Sequence, residues 1–294
     1  MEMNTLEIKE QTEVFGFTSI GELVNATLQN NFGTRKSGKV TSTGFKKLDS
    51  VIGGFNNGEL TTIAVKPGMG KTAFLLSVAN NLAIKNNYSL ALFTAERSSQ
   101  KITSRLIETE TGMSVDKVLN SNLKASERDH LQSLIGNIAK AKIFIDDTQL
   151  LQVEELGKKA IQLKESCQID LIIIDYLELL TTNRIAQESR QEQLSFILSS
   201  IKLLALQLDL PILLFSQFGA TGSYLQQPAA GDLPEYLAGF SDTLMILHRS
   251  DLANEGRNGK GKDVAELLVI KNSFESPVLS VPVTYINSIS KFVD

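Results

Sequence analysis

The 294-residue sequence has few of the side chains that build disulfides and metal sites. It contains one cysteine, Cys167, and two histidines, His130 and His248. A single cysteine excludes an internal disulfide framework and disfavours a thiolate zinc site. Two histidines equally disfavour a histidine-rich metal site. We expect Cys167 to be a partly buried small residue, and we assign neither histidine to catalysis.

Signals for membranes and export are also missing from the sequence. No apolar run approaches the roughly 20 residues that a helix needs to cross a bilayer. Residues 1–10 are acidic and polar, without the basic end and apolar centre of a secretory signal. We therefore expect an intracellular, cytoplasmic protein with no membrane partner.

The overall composition is that of a globular protein with a slight negative charge. Hydrophobic residues make up 42% and charged residues 21%, which excludes a wholly disordered chain. The 29 Lys and Arg residues against 33 Asp and Glu give a net charge of −4. This balance argues against a protein that coats polyanions, but a local nucleic-acid groove remains compatible with it. The length alone allows one large domain or two small ones.

The first forty residues differ from the rest of the chain. Residues 1–17 have the composition of a weakly ordered arm, and 18–40 read as a short helix at 19–29 followed by a linker. Ser19 before Glu22 has the form of a capping box. Apolar side chains recur at helical spacing at Ile20, Leu23, Val24 and Leu28. Such a helix either folds back on its own domain or docks on a neighbouring subunit, and the pattern does not decide between these.

Beyond the linker, short apolar strands alternate with amphipathic helices. The strand candidates lie at 60–65, 89–94, 142–145, 171–175, 211–216 and 243–248. The helix candidates lie at 72–85, 126–140, 152–165 and 190–208. This alternation predicts an α/β fold with a parallel sheet covered on both faces. The strands predicted at 264–271 and 279–286, joined by a turn at 274–277, indicate an antiparallel extension at one sheet edge.

The strongest local signal is a phosphate-binding loop at 65–72, between a predicted strand and a predicted helix. Gly70 lets the backbone approach a phosphate, and the helix start supplies N–H donors and a partial positive charge. Lys71 would reach the β- and γ-phosphates, and Thr72 would hold Mg²⁺ through its hydroxyl. Val65 stands where the common pattern has its first glycine. The context nevertheless predicts nucleotide binding.

Three other predicted strands end in a polar side chain. Asp175 follows four apolar residues, and with a phosphate loop upstream it is a candidate Mg²⁺ ligand. Glu96 could orient and deprotonate the water that attacks the γ-phosphate. Gln217 could sense the γ-phosphate and pass its state to the following loop. Any one of these residues alone would more often be a turn residue.

These strand ends, in this order, resemble the RecA-like ATPase domain of DnaB-type replicative helicases. The resemblance extends through most of residues 18–294. The phosphate loop is similar to that of the family, which also lacks the first glycine. Further similar stretches lie at 43–49, 53–60, 145–148, 174–180, 190–192 and 214–217. The resemblance implies a RecA-like P-loop NTPase domain at 41–294, and it implies that the 19–29 helix docks on the adjacent subunit of a ring.

The resemblance also implies roles for individual residues, with ATP and Mg²⁺ as the cofactors. It makes Lys71 a phosphate ligand, Thr72 and Asp175 metal ligands, Glu96 the catalytic base and Gln217 the γ-phosphate sensor. The expected nucleotide-binding set is completed by Pro67, Gly68, Met69, Gly70, Ala73, Arg249 and Lys271.

The sequence departs from the family pattern at several positions. Ser273 stands where the family has an arginine finger, and Arg249 and Arg257 are candidates to replace it. A finger arginine is worth ~10³–10⁵ in rate in related phosphoryl-transfer systems, so its loss predicts slow or partner-dependent hydrolysis. The segment after Gln217 has no Lys or Arg before Arg249, and a family glutamine aligns with Gly239. The basic stretch at 257–262 is more often a solvated hairpin than a phosphate contact.

Two functional hypotheses follow. The first is an ATP-hydrolysing, hexameric ring motor that acts on single-stranded DNA in DNA replication, with a replication protein as a further partner. The alternative is a non-motor DnaB-like ATP-binding protein that assembles or regulates a replication or mobile-element complex. At most seventeen residues precede the linker helix, where the family has an N-terminal helical domain, and this also favours the alternative. A RecA-like ATPase of the clock or repair type, and a small-molecule kinase, match the motifs less well.

Overall fold

A computed structural model describes residues 20, 24, 40–115, 118, 125–183, 189–219, 226–249, 263–272 and 278–294. Its contacts divide the chain into two units, 1–39 and 40–294. In the first unit, Ile20 and Val24 are helical with exposed side chains. The rest of the predicted arm, helix and linker up to residue 39 lies outside the described residues, as does the predicted turn at 274–277.

The second unit is built on one nine-stranded sheet. The strands are β1 (Leu60–Val65), β2 (Leu90–Thr94), β3 (Ile143–Asp146), β4 (Leu171–Asp175), β5 (Ile212–Gln217), β6 (Thr243–Arg249), β7 (Asp263–Lys271), β8 (Leu279–Ile286) and β9 (Lys291–Val293). They lie in the order β3-β2-β4-β5-β1-β6-β7-β8-β9. Pairing is parallel from β3 to β6 and antiparallel from β6 to β9. The predicted parallel sheet with an antiparallel C-terminal edge is confirmed.

Helices cover both faces of this sheet. The helices are α1 (Lys46–Ile52), α2 (Lys71–Ala79), α3 (Ser99–Thr111), α4 (Ala125–Lys140), α5 (Val153–Cys167), α6 (Arg190–Leu208) and α7 (Glu235–Phe240). A π-helical segment, Asn80–Lys85, continues α2, and 3₁₀ turns lie at Leu177–Leu179, Ala230–Asp232 and Asn287–Ile289. None of the helices in the described ranges is both long enough and apolar enough to cross a bilayer.

The core lies on the two faces of the sheet, and the strand sequences explain why. The strands β1, β4 and β6 bury every residue, as near-continuous apolar runs do when helices cover both sides. Successive strand side chains point to opposite faces. Ile63 belongs to the core cluster that includes residues of α1, α2 and α3, and Ala64 belongs to the cluster that includes residues of α5, α6 and α7. The central strands therefore form a rigid platform for whatever follows their carboxyl ends.

Four elements of the structure were absent from the sequence-based prediction. The helices α1 and α7 have seven and six residues, too short to show a helical period. The helix α3 buries only Ile102, Leu106 and Thr109, so its apolar face is weak in the sequence. The strand β9 has three residues. Its Phe292 is fully buried and contacts the rings of Phe74 and Tyr285.

The parallel register brings the predicted functional strand ends to one edge of the sheet. Val65 pairs with Gln217 between β1 and β5, and Thr94 pairs with Asp175 between β2 and β4. The strand order places β1 between β5 and β6. Because the carboxyl ends of parallel strands meet at the same edge, the loops that follow β1, β2, β4 and β5 surround a common space.

Candidate functional site

The loop between β1 and α2 is shaped by Gly70, which caps the start of α2. Gly70 has φ +95°, a left-handed conformation that side chains rarely adopt. A Cβ atom there would also come within 3.0 Å of the Phe292 ring. The carbonyl of Gly70 accepts the first helical hydrogen bond, from the N–H of Phe74 at 2.9 Å. The loop therefore places the free N–H groups of α2 toward the cavity above it.

The ammonium group of Lys71 joins two of the predicted carboxylates. Its Nζ lies 2.5 Å from Oε2 of Glu96 and 2.5 Å from Oδ1 of Asp175. It also lies 3.6 Å from the centroid of the Tyr176 ring. The structure thus brings together the ends of β2 and β4 and the start of α2 through one cation.

The carboxyl of Asp175 is in an unusual electrostatic position. It is 1% exposed, and this burial raises its pKa although the Lys71 charge opposes the shift. Its second oxygen, Oδ2, is buried and has no hydrogen-bond partner among the described residues. A buried carboxylate oxygen with no donor is an incomplete environment, and a cation ligand is one way to complete it.

The donor set suits a magnesium ion that is shared with a phosphate ligand. No cluster of three or more His, Cys, Asp or Glu side chains suited to a metal occurs in the described part of the chain. Mg²⁺ is commonly bound through one or two protein oxygens, with phosphates and water as the remaining ligands. The carboxylate of Asp175 and the hydroxyl of Thr72, which lines the cavity, fit this pattern.

A cavity of about 360 Å³ opens above the loop, within the size range of small-molecule sites. Nine of the residues predicted for the site line it, and they are Pro67, Gly68, Gly70, Lys71, Thr72, Ala73, Glu96, Gln217 and Arg249. Asp175 is not among the lining residues, and it reaches the site through its contact with Lys71.

Two predicted residues lie elsewhere. The side chain of Met69 is fully buried in the core, so only its backbone can serve the loop. Lys271 pairs with Leu244 at the far end of β6 from Arg249. Its ammonium donates to the carbonyls of Ala238 and Ser241, at 2.9 and 2.7 Å. Lys271 therefore does not join the cavity of its own chain.

Other predictions concern residues that the structure does not describe. Ser273, residues 220–225 and the whole 257–262 stretch, which includes Arg257, lie outside the described residues. Gly239 lies in α7.

The single cysteine and the two histidines lie outside the lining of the cavity. Cys167 is half-buried at the end of α5 and free, His130 is exposed on α4, and His248 is buried in β6.

The cavity also contains residues that motif analysis did not single out. Arg97, Arg105, Tyr285 and Ser290 line it. The guanidinium carbon of Arg249 lies 3.8 Å from the Tyr285 ring centroid, a contact within the range of cation–π interactions. Arg97 could have been found from the sequence, because it directly follows Glu96. No sequence pattern pointed to Tyr285, because β8 reaches the cavity only through the antiparallel edge of the sheet.

Comparison with known proteins identifies the family. The model of the DnaB-like helicase C terminal domain matches residues 41–294. The chain belongs to the DnaB-like helicase C-terminal domain family. The resemblance inferred from the motifs is therefore confirmed.

Two bacterial DnaB-type proteins illustrate the similarity. The replicative DNA helicase DnaB of Geobacillus stearothermophilus is 29% identical over 296 residues. The replicative DNA helicase DnaC of Bacillus subtilis strain 168 is 28% identical over 301 residues. The alignments cover 98% and 100% of this chain. The chain spans 64% and 65% of the lengths of these relatives.

Two solved structures share the fold of this chain. One is an isolated ATPase domain, which superimposes with a TM-score of 0.81 at 26% identity, covering 94% of this chain and 98% of that chain. The other is a DnaB-like replicative helicase, described together with its interactions with primase. It gives a TM-score of 0.79 at 26% identity, covering 94% of this chain and 67% of that chain. The predicted RecA-like α/β fold is confirmed.

Proposed function

We propose that this chain is an ATP-binding and ATP-hydrolysing DnaB-like helicase domain that acts on single-stranded DNA in DNA replication. The observation that carries the proposal is the position of Lys71, whose ammonium joins Glu96 and Asp175 at the start of α2. The names of the relatives, which are replicative DNA helicases, support the motor function over the non-motor alternative. We place the ATPase domain at 41–294, with the linker helix and linker at 18–40 before it.

In this proposal the phosphates of ATP bind the loop at 66–72. The first N–H groups of α2 donate to them, and the positive end of the helix dipole favours their charge. Lys71 exchanges its two carboxylate partners for the β- and γ-phosphates. This exchange frees Oε2 of Glu96 from Lys71, while Oε1 remains 3.4 Å from the Arg97 guanidinium. The Glu96 side chain is 30% exposed and accessible to water.

The released Glu96 then acts as the general base. It orients a water molecule toward the γ-phosphorus and accepts its proton as the bond to the leaving oxygen breaks. Gln217, at the end of β5, is placed to contact the γ-phosphate and to report its loss to the loop that follows. Arg249 supplies a cation from the same chain, held against the ring of Tyr285.

A magnesium ion completes the proposed site. Thr72 and Asp175 would hold it, and the buried Oδ2 of Asp175 would gain a partner. A Mg²⁺ ion held by these two residues would supply positive charge against the charge that develops on the phosphates.

We assign the nucleoside to a second cavity, which is continuous with the first. This groove of about 250 Å³ shares Ala73, Arg105 and Ser290 with the phosphate cavity. The groove is also lined by residues of α3 and of the Asn287–Ile289 turn. Such a position would put the planar guanidinium of Arg105 between the base and the phosphates.

The decisive experiment measures steady-state ATP hydrolysis with and without single-stranded DNA. We expect turnover that DNA stimulates. Lys71→Ala should lower kcat by about 100-fold or more, because one preorganised charge at a transferring group is commonly worth that much. Absence of hydrolysis under both conditions would contradict the proposal.

Lys159 offers a matched control for this experiment. It also joins two carboxylates, Asp146 at 2.7 Å and Glu155 at 2.8 Å, and it does not line the phosphate cavity. Lys159→Ala should leave ATP turnover within about twofold of wild type, since exposed ion pairs contribute little. An equal loss in both variants would indicate a general effect on folding.

The proposed assembly is a hexameric ring in which the 19–29 helix contacts the neighbouring copy. Sedimentation with and without ATP tests this, and a strict monomer in both conditions would contradict it. A DnaB-like helicase of similar fold is described with its interactions with primase, so a replication protein of that kind is a reasonable partner to test. Strand separation by the isolated protein distinguishes the motor from the non-motor alternative.

A further inference from the structure

The carboxylate of Glu178 lies at the junction of β4 and β5, outside every role assigned above. It belongs to the 3₁₀ turn Leu177–Leu179, which directly follows β4 and Tyr176. Its Oε1 accepts a hydrogen bond from the Ser216 hydroxyl at 2.5 Å, and its Oε2 accepts one from the backbone N–H of Gln217 at 2.9 Å. One side chain thus holds the last two residues of β5.

The two hydrogen bonds replace missing strand pairing. The ladder between β4 and β5 ends at Ile174 and Leu214. On its other side, β5 remains paired with β1 up to Gln217. The last part of β5 therefore has no backbone partner from β4, and a buried N–H without an acceptor is strongly disfavoured. Glu178 supplies that acceptor.

The turn that carries Glu178 is itself held in place. One guanidinium nitrogen of Arg190 donates to the carbonyls of Glu178 and Leu180, at 2.9 and 3.0 Å. Arg190 is the first residue of α6. The carboxylate is therefore presented by an anchored turn.

The Glu178 carboxylate is buried and accepts strong hydrogen bonds. Burial raises the pKa of Glu178, while the hydrogen bonds from Ser216 and Gln217 and the Lys71 charge oppose the shift. In its ionised form the group accepts both bonds, as charge-assisted hydrogen bonds that are stronger than neutral ones. No proposed step in ATP hydrolysis uses this charge, so its position at the end of β5 calls for another role.

We propose that Glu178 is a positioning residue that fixes Gln217 for its contact with the γ-phosphate. The inference rests on the proposed ATPase function. Asp175 ends β4 and lies three residues before Glu178, whereas Gln217 ends β5. Glu178 thus joins the metal-binding and phosphate-sensing ends of two strands into one unit, although it touches neither nucleotide nor metal.

Glu178→Gln tests the proposal with little change in shape. The amide oxygen can accept from the Gln217 N–H, and the NH₂ group can donate to the Ser216 hydroxyl, which accepts as well as donates. Neutral hydrogen bonds then replace two charge-assisted ones, so the end of β5 is held less firmly and we expect kcat to fall about 10-fold. We expect the KM for ATP to stay within about twofold, because the phosphate loop and Lys71 are unchanged.

A double-mutant cycle with Gln217→Ala shows whether Glu178 acts through Gln217. If it does, Glu178→Gln should cause little further loss of kcat in the Gln217→Ala background. Independent, multiplying losses in the double variant would overturn the inference, and so would a wild-type kcat in Glu178→Gln. A purely structural role would give multiplying losses.

Glu192→Gln is the matched control. Glu192 also accepts from a serine hydroxyl and a backbone N–H, both of Ser189, at 2.8 and 2.7 Å, but on the surface at the start of α6. The kcat of Glu192→Gln should equal that of the wild-type protein. Fluorescent ATP-analogue binding and wild-type turnover are measured first, because their absence would contradict the proposed ATPase and not the role of Glu178.

Discussion

Two lysines of this chain each join two carboxylates, and their surroundings give these groups opposite properties. Lys71 contacts Glu96 and Asp175, and its side chain is 10% exposed. Lys159 contacts Asp146 and Glu155, and its side chain is 33% exposed. We call these the buried trio and the surface trio. Both have the same charges, so burial and neighbours account for the difference.

The pKa values of one aspartate from each trio shift in opposite directions. Burial raises the pKa of Asp175 more than Lys71 lowers it. Burial also acts to raise the pKa of Asp146, but hydrogen bonds from Lys159 and Thr148 outweigh it and lower the pKa. In the surface trio, hydrogen bonds to the Asp146 carboxylate outweigh its burial, whereas in the buried trio Oδ2 of Asp175 has no hydrogen-bond partner among the described residues. An incomplete, buried set of charges is typical of a site that a ligand completes.

Replacing the lysine of each trio with alanine should give the largest difference in stability between them. Lys71→Ala leaves Asp175 buried without its cation, and we expect a loss of about 3 kcal/mol in the free energy of unfolding. Lys159→Ala should lose less than about 1 kcal/mol, since its partners remain hydrated. Urea denaturation of both variants measures the difference. Equal losses would show that burial does not distinguish the trios.

A glycine near each lysine gives the second comparison. Gly70→Ala meets both a positive φ and the Phe292 ring at 3.0 Å, so we expect a loss of roughly 1–3 kcal/mol in stability together with weaker ATP binding. Gly157 lies in α5, and an added Cβ would be 4.0 Å from Leu204. Gly157→Ala should therefore stabilise the protein by about 0.5–1 kcal/mol.

Thermal unfolding and titration with a fluorescent ATP analogue measure the two glycine variants. Binding of the analogue by Gly70→Ala with wild-type affinity would contradict the expectation, because the loop would then not depend on the left-handed conformation of residue 70.

The smallest expected signal is the pH dependence of the two aspartates. The raised pKa of Asp175 means that its ionisation opposes folding, so its stabilising contribution is complete below the unfolded pKa, near about 3.9. That contribution is lost as the pH rises through the folded pKa. The lowered pKa of Asp146 has the opposite effect, because its contribution is present above about 3.9 and is lost as the pH falls through the folded pKa.

Asparagine substitutions detect this contrast. The stability of Asp175→Asn relative to wild type should rise with pH, and that of Asp146→Asn should fall. Chemical denaturation of the three proteins between about pH 2 and pH 8, a range that extends to both sides of the unfolded pKa of about 3.9, measures both slopes. Slopes of the same sign would contradict the assignment of opposite shifts.

Much of the fold and of the candidate site could be predicted from the sequence, and particular residues show where this ends. Lys71, Glu96, Asp175 and Gln217 each end or follow an apolar strand, and parallel strands bring such ends to one edge. The local sequence pattern and this one rule of sheet topology were sufficient to predict that these four residues lie close together. The contact of Arg249 with Tyr285 depends instead on the antiparallel register of β6, β7 and β8, which no local pattern fixes.

The role of Glu178 was also outside the reach of the pattern. It stands within a motif that was recognised for Asp175, and its partners Ser216 and Gln217 are 38 and 39 residues away. The strand β9 was missed because three residues carry no period, and its stability comes from packing against α2 and Tyr285. In each case tertiary contacts decide the structure, not local propensity.

The contact of β9 with the phosphate loop has a consequence for the order in which the protein is made. The N–H of Phe292 donates to the Ser77 hydroxyl, 215 residues earlier in the chain, and its ring lies beside Gly70. Synthesis proceeds from the N-terminus at roughly 5–20 residues per second. The loop therefore leaves the ribosome many seconds before the strand that supports it. Nucleotide binding should be among the last properties that the newly made domain acquires.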